Sequence, residues 1–115
     1  MGGLTTHVLD TALGRPGSGI NLRLQKPGSP PTLICATVTN EDGRTDHPLL
    51  NSETFTPGTY ELIFEVAEYF RQQHHNPPEP PFLNEVTLRF TLSDDTHYHV
   101  PLLVSPWSYS TYRGS

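Results

Sequence analysis

Twelve prolines and nine glycines punctuate this chain of 115 residues, and they leave no room for long uninterrupted elements. Turn signals recur at Gly14-Arg15-Pro16-Gly17, Lys26-Pro27-Gly28-Ser29-Pro30-Pro31, Asn40-Glu41-Asp42-Gly43, Pro57-Gly58 and Ser93-Asp94-Asp95. Proline sets φ and donates no backbone hydrogen bond, glycine opens the left-handed region, and Asn and Asp fold back on their own backbone. The segments between are short and carry strand periodicity. That combination predicts an all-β domain, a sandwich or barrel.

Residues 4–10 supply the first strand. In 20–26, Ile20, Leu22 and Leu24 alternate with Asn21, Arg23 and Gln25, a strand buried on one face. Residues 32–39 mix Leu33, Ile34, Ala36 and Val38 with threonines and read as a buried strand, and Thr54-Phe55-Thr56 reads as a short edge strand before Pro57. Tyr60, Leu62 and Phe64 alternate with Glu61, Ile63 and Glu65, again as in a strand. From Val66 the period changes: Val66, Tyr69 and Phe70 fall at i, i+3 and i+4, which predicts a short amphipathic helix. His74-His75, at its polar end, reads as solvated surface, and Asn76-Pro77-Pro78-Glu79-Pro80-Pro81 as an extended connector. Residues 83–92 alternate Val86, Leu88, Phe90 and Leu92 against Glu85, Thr87, Arg89 and Thr91, and 97–104 and 106–113 complete the set. About eight short strands and one helix follow, in a single domain over residues 1–115.

Composition narrows the function classes. A chain of this size buries roughly two-thirds of its unfolded surface, so a core forms without staples. The apolar share of 34% is low and points to oligomerisation. Net charge is −5 and the seven basic residues are scattered, so no electrostatic footprint for nucleic acid exists. No apolar run reaches the length of a membrane span. Cys35 is the only cysteine, which excludes an intrachain disulfide, and its place in Leu33-Ile34-Cys35-Ala36 suits a small buried hydrophobe. Met1-Gly2-Gly3 leads straight into Leu4-Thr5-Thr6-His7 without a signal-peptide pattern, and the expectation is a soluble cytoplasmic protein.

The last segment keeps a strict alternation, with Trp107, Tyr109 and Thr111 on one face and Ser108, Ser110 and Tyr112 on the other. It delivers Arg113, Gly114 and Ser115: a cation, a residue without Cβ, and a hydroxyl beside a carboxylate. The six histidines are the side chains that titrate near neutrality. His7 shares a strand face with Thr5 and Leu9, and Arg44 follows the Asp42-Gly43 turn, from which a guanidinium can grip an anion or a polarised carbonyl. On composition alone, a satisfied core or interface histidine is the favoured reading of His7, and an ordinary loop arginine that of Arg44. His97 and His99 share a strand face and could begin a zinc site, but a closed site needs three or four ligands, so no metal is assigned. No phosphate loop, nucleophile elbow or cysteine beside a base occurs.

Leu4-Thr5-Thr6-His7-Val8-Leu9-Asp10-Thr11-Ala12-Leu13-Gly14-Arg15-Pro16 resembles the opening strand of the transthyretin-related 5-hydroxyisourate hydrolases. Thr39-Asn40-Glu41-Asp42-Gly43-Arg44-Thr45 resembles their arginine loop. His97-Tyr98-His99-Val100-Pro101-Leu102-Leu103 and Tyr112-Arg113-Gly114-Ser115 resemble their last two strands and terminal tetrapeptide. The similarity is collinear over nearly the whole chain. It implies a transthyretin-like two-sheet β-sandwich with one short helix, assembled as a homotetramer (a dimer of dimers). The implied active site lies in a channel between dimers and uses neither metal nor cofactor. Carried over motif by motif, His7, Arg44, His99 and Ser115 form the catalytic set. Tyr112, Arg113 and Gly114 join His7 and Arg44 in binding substrate. His97 lies outside the transferred motif, and its removal is expected to matter much less. Trp107 stands where the family often has tyrosine.

The resemblance implies hydrolysis of 5-hydroxyisourate to 2-oxo-4-hydroxy-4-carboxy-5-ureidoimidazoline in urate degradation, by water attack on the N1–C6 ring amide. Such an attack needs a base near neutral pH, for which a neutral histidine is suited. It needs donors for the developing oxyanion, for which an arginine in a water-poor channel is effective, and groups that orient a flat polar ring. His7 and His99 share the base and orienting duties, Arg44 polarises the carbonyl, and Ser115 positions substrate or water; which histidine is the base stays open. The alternative is a transthyretin-type carrier of a small aromatic ligand, since one fold supports both roles. Ionisable groups in the channel favour the hydrolase over that carrier. A purely structural interaction domain is a third reading, and it would show no turnover and tolerate truncation of the tail.

Overall fold

The computed structural model describes residues 1–114. The strands are β1 (Gly3–Thr5), β2 (Val8–Asp10), β3 (Arg15–Pro16), β4 (Asn21–Lys26), β5 (Thr32–Val38) and β6 (Gly58–Phe64). The helix α1 (Val66–Gln73) follows, and then β7 (Val86–Leu92), β8 (His97–His99), β9 (Leu102–Val104) and β10 (Tyr109–Thr111). One sheet has the order β5-β4-β6-β7 and is antiparallel throughout. The other has the order β10-β9-β2-β3, and the parallel pair β1-β8 prolongs it. The register passes unchanged from one parallel pair to the next, since Thr5 faces His99 and Val8 faces Leu102. Two backbone bonds bridge the gap: Val100 N–H to the Thr5 carbonyl at 2.9 Å and Leu102 N–H to the His7 carbonyl at 2.8 Å. Segments 4–10 and 97–104 are thus each one extended run read as two strands. On the β10 side Pro101 has no N–H to offer, and the Thr111 hydroxyl donates to its carbonyl at 2.6 Å.

Alternation explains the core. Leu22 and Leu24 of β4, Tyr60, Leu62 and Phe64 of β6 and Val86, Leu88 and Leu92 of β7 are buried, facing Val8, Leu102 and Val104 of the second sheet. Each such side chain stabilises by about 1.5–3 kcal/mol relative to exposure. The helix forms where the period changes and buries Val66, Ala67, Tyr69 and Phe70; no side chain caps its N-terminus, so packing holds it in place.

Four expectations are corrected. Strand β5 is not a buried strand but an edge strand paired only with β4, and it leaves Leu33, Ile34 and Val38 exposed, with Cys35 half-buried against the core. Residues 54–56 form no strand, because Asn51 Oδ1 accepts the N–H groups of Glu53 and Thr54 and winds the chain into a turn. Trp107 lies in a turn before β10, closed by Ser105 N–H to the Ser108 carbonyl at 2.9 Å, and its ring packs on Phe82. It therefore shares no strand face with Tyr109. His74 is not solvated: its Nε2 donates to Asp10 Oδ2 at 2.6 Å, and its side chain is only 9% exposed. A buried carboxylate needs partners, and Asp10 draws the histidine in.

Candidate active site

Three backbone pairings converge on one spot: the His7–Arg44 bridge, the His99–Gly114 bridge, and Thr5 opposite His99. The arginine turn is built from Thr39, whose buried hydroxyl accepts from Ile20 N–H at 2.9 Å and donates to the Gly17 carbonyl at 2.7 Å. Asn40 Oδ1 then accepts from the N–H groups of Asp42 (2.9 Å) and Arg44 (3.2 Å). Gly43 has φ +75, and a Cβ there would collide with the Val8 carbonyl oxygen. Its own carbonyl accepts from Val8 N–H at 2.8 Å. Only glycine tolerates that conformation and that contact. Gly43 is thus a positioning residue that the sequence marked only as a turn signal, and it sets Arg44 against the His7 strand.

His7 Nε2 lies 2.9 Å from the Asp42 carbonyl. A carbonyl only accepts, so Nε2 carries the hydrogen and the neutral ring keeps its lone pair on Nδ1. The His99 ring centroid lies 6.5 Å from that of His7. Burial pushes the pKa of His99 below its ordinary 6.5, and the charges of Arg44, His7 and His97 push it further down. Both effects favour the neutral imidazole of His99. Its Nδ1 is 2.9 Å from Thr5 Oγ1.

Gly114 N–H donates to the His99 carbonyl at 2.7 Å, and His99 N–H donates back to the Gly114 carbonyl at 3.1 Å. A Cβ at Gly114 would lie 3.2 Å from the His99 Cβ and 3.3 Å from its ring, so glycine lets the tail lie flush against the histidine. Ser115, the fourth member of the expected catalytic set, lies outside the described residues. Arg113 stacks its guanidinium on Tyr98 at 4.5 Å and donates to the His97 carbonyl at 3.3 Å. Tyr112 and Arg113 line a groove of about 390 Å³ with Leu88, Phe90 and Tyr109, and none of His7, Arg44 and His99 lines it.

The structure thus brings His7, Arg44, His99 and Gly114 together and sets Tyr112 and Arg113 on the adjoining flank. Arg44 borders a small pocket of about 160 Å³ shared with Thr5, Thr6, Asp46 and His47, and among the described residues no carboxylate forms an ion pair with it. Among the described residues no three His, Cys, Asp or Glu side chains gather as a metal site. The cluster offers a guanidinium, an imidazole N–H and a neutral imidazole. That is a set for binding a polar carbonyl compound and taking a proton from water.

The sequence model of the HIUase/Transthyretin family matches residues 4–114. A protein of Pseudomonas aeruginosa named 5-hydroxyisourate hydrolase is 56% identical, over 100% of this chain and 93% of its own length. A solved structure of (S)-allantoin synthase superposes with a TM-score of 0.92 at 46% identity; it covers 99% of this chain, which spans 44% of that protein. The structure of Klebsiella pneumoniae 5-hydroxyisourate hydrolase superposes with a TM-score of 0.82 at 30% identity, over the full length of both chains.

Proposed function

The chain belongs to the HIUase/Transthyretin family, and from that premise we propose that it hydrolyses 5-hydroxyisourate by opening the ring amide. The observation that carries this reading is the convergence of His7, Arg44 and His99. Water attacks the amide carbonyl while a neutral imidazole takes its proton. Arg44 receives the developing oxyanion through charge-assisted hydrogen bonds. The carbon–nitrogen bond then breaks and the ring nitrogen leaves protonated. Gly114 lies against His99, and in this reading Ser115 has the role of positioning substrate or water. A carrier of small aromatic ligands needs none of these ionisable groups at the site.

The same reading includes a cytoplasmic homotetramer, a dimer of dimers. It is supported by two open sheet edges, β7 and β10, on one flank with the apolar groove between them. Exposed edges are templates for pairing unless a partner covers them. The partner in this reading is a second copy of the chain.

The test mixes purified protein with freshly generated 5-hydroxyisourate and follows its loss against spontaneous decay. His7→Asn, Arg44→Ala and deletion of Ser115 should each lower kcat/KM by about 10²–10⁴. Full activity of all three in correctly assembled protein would refute the assignment.

A further inference from the structure

His97 stands outside the transferred motif, yet it is joined to His99 through one side chain. Thr5 Oγ1 lies 2.9 Å from His99 Nδ1 and 3.1 Å from His97 Nε2. The parallel register of β1 and β8 creates this bridge, because Thr5 faces His99 and Gly3 faces His97. A Cβ on Gly3 would lie 3.2 Å from His97 Nδ1, so the glycine leaves room for the His97 ring over the strand. Arg113 holds the backbone behind it through the His97 carbonyl. His97 is exposed, whereas His99 is half-buried.

A hydroxyl carries one proton, so Thr5 donates to one of these rings while accepting from the other. We infer that Thr5 and His97 form a proton relay that carries the proton taken up by His99 out to solvent. The inference rests on the proposed hydrolysis. At neutral pH, opening an amide to a carboxylate releases one proton per turnover: water supplies one proton to the leaving nitrogen, and the other is surplus. A base that kept the surplus proton would be spent for the next cycle.

In the resting state His99 Nδ1–H donates to Thr5, Thr5 donates to His97 Nε2, and His99 Nε2 keeps a lone pair for the site. When Nε2 takes the proton of the attacking water, the Nδ1 proton moves to the Thr5 oxygen as the Thr5 proton moves to His97. His97 becomes the imidazolium and loses a proton to solvent. No charge stays inside, but His99 now carries its hydrogen on Nε2. The chain resets when Nε2 gives that hydrogen to water in the emptied site while one proton returns from solvent through His97 and Thr5 to Nδ1, for a net release of one proton per turnover. Among the described residues, the titratable and charged groups facing His99 are His7, Arg44 and His97, and none of these is an anion.

Thr5 and His97 are positioning residues here, since each acts through His99. Thr5→Val keeps the branched shape and removes the hydroxyl; Thr5→Ser restores the hydroxyl. Thr5→Val should lower kcat about 10- to 100-fold with little change in KM, and should make the rate rise with the concentration of small proton-carrying buffers. Thr5→Ser should recover most of the loss, and His97→Gln should fall in the same direction as Thr5→Val. Nitrogen NMR of the histidine rings supplies a readout that needs no turnover: His97 and His99 should titrate as a coupled pair in the parent protein and independently in Thr5→Val. Loss of that coupling with unchanged kcat and no buffer dependence would overturn the relay. Coupled titration in a protein that never accelerates 5-hydroxyisourate decay would overturn the hydrolase reading, and the catalytic relay with it. Uncoupled titration beside full hydrolysis in the parent protein would overturn the relay alone.

Discussion

Asp10 shows how much one buried side chain organises. Its side chain is fully buried, and its two oxygens accept from the N–H groups of Ala12 and Leu13, from the Tyr69 hydroxyl and from His74. Burial acts to raise its pKa, but the hydrogen bonds of Tyr69, His74 and Leu13, with the charge of His74, outweigh it and hold the carboxyl below its ordinary 3.8. Burial pushes the Tyr69 phenol upward, and the same carboxylate adds to it. A depressed carboxyl pKa stabilises the fold fully above the unfolded value and loses that contribution as pH falls toward the folded one. Asp10→Asn should therefore cost about 1–3 kcal/mol near neutrality, since the amide N–H₂ confronts donors. Urea denaturation of both proteins should show the difference narrowing below about pH 3.8. A difference independent of pH would contradict the role of the carboxylate charge.

Among the elements, α1 is held by its buried face and by the link from its end to β2. It is eight residues long and has no side-chain N-cap, and its exposed Arg71 pairs with Glu68 and Glu79 at the surface. Such surface pairs contribute about 0–1 kcal/mol, whereas a buried phenylalanine contributes several times more. Phe70→Ala should destabilise by about 3–5 kcal/mol in urea denaturation. It should also broaden the histidine signal of His74, whose ring lies edge-on to Phe70 at 5.0 Å. An Arg71→Ala variant serves as the control and should change stability by less than about 1 kcal/mol. The parallel pairing of β1 with β8 works at the same scale, because its register alone decides that Thr5, and not a neighbour, reaches both His97 and His99.

For the whole molecule, the surface that a single chain leaves open is the informative part. Tyr109 and Tyr112 are exposed along the β10 flank, and Phe82 and Trp107 pack on one another at the surface. Together with the open β7 edge, Tyr109 and Tyr112 form the kind of apolar surface that association covers. Light scattering coupled to size exclusion should give four times the 12.8 kDa chain mass. Replacing Thr91 of β7 and Ser110 of β10 by proline should break edge pairing and lower both the mass and the activity. A fully active monomer would remove the tetramer from the proposal.

What was legible in the sequence was local. Alternation at 20–26 and 86–92 needs only the two-residue strand period, and Val66, Tyr69 and Phe70 need only the helical one. The Asn40–Gly43 turn is written in its own side chains, and the collinear motifs named His7, Arg44 and His99 before any contact was known. The tertiary structure decided what depends on neighbours distant in the chain. Burial of β5 follows from sheet order, because apolar residues at an edge look the same as apolar residues at a centre. His74 resembles solvated surface until a carboxylate 64 residues away needs a donor. The link from His99 through Thr5 to His97 spans 94 residues and exists only because a parallel register sets those side chains abreast. Local periods act through the covalent chain, whereas registers and buried charges are chosen by the packing of the whole.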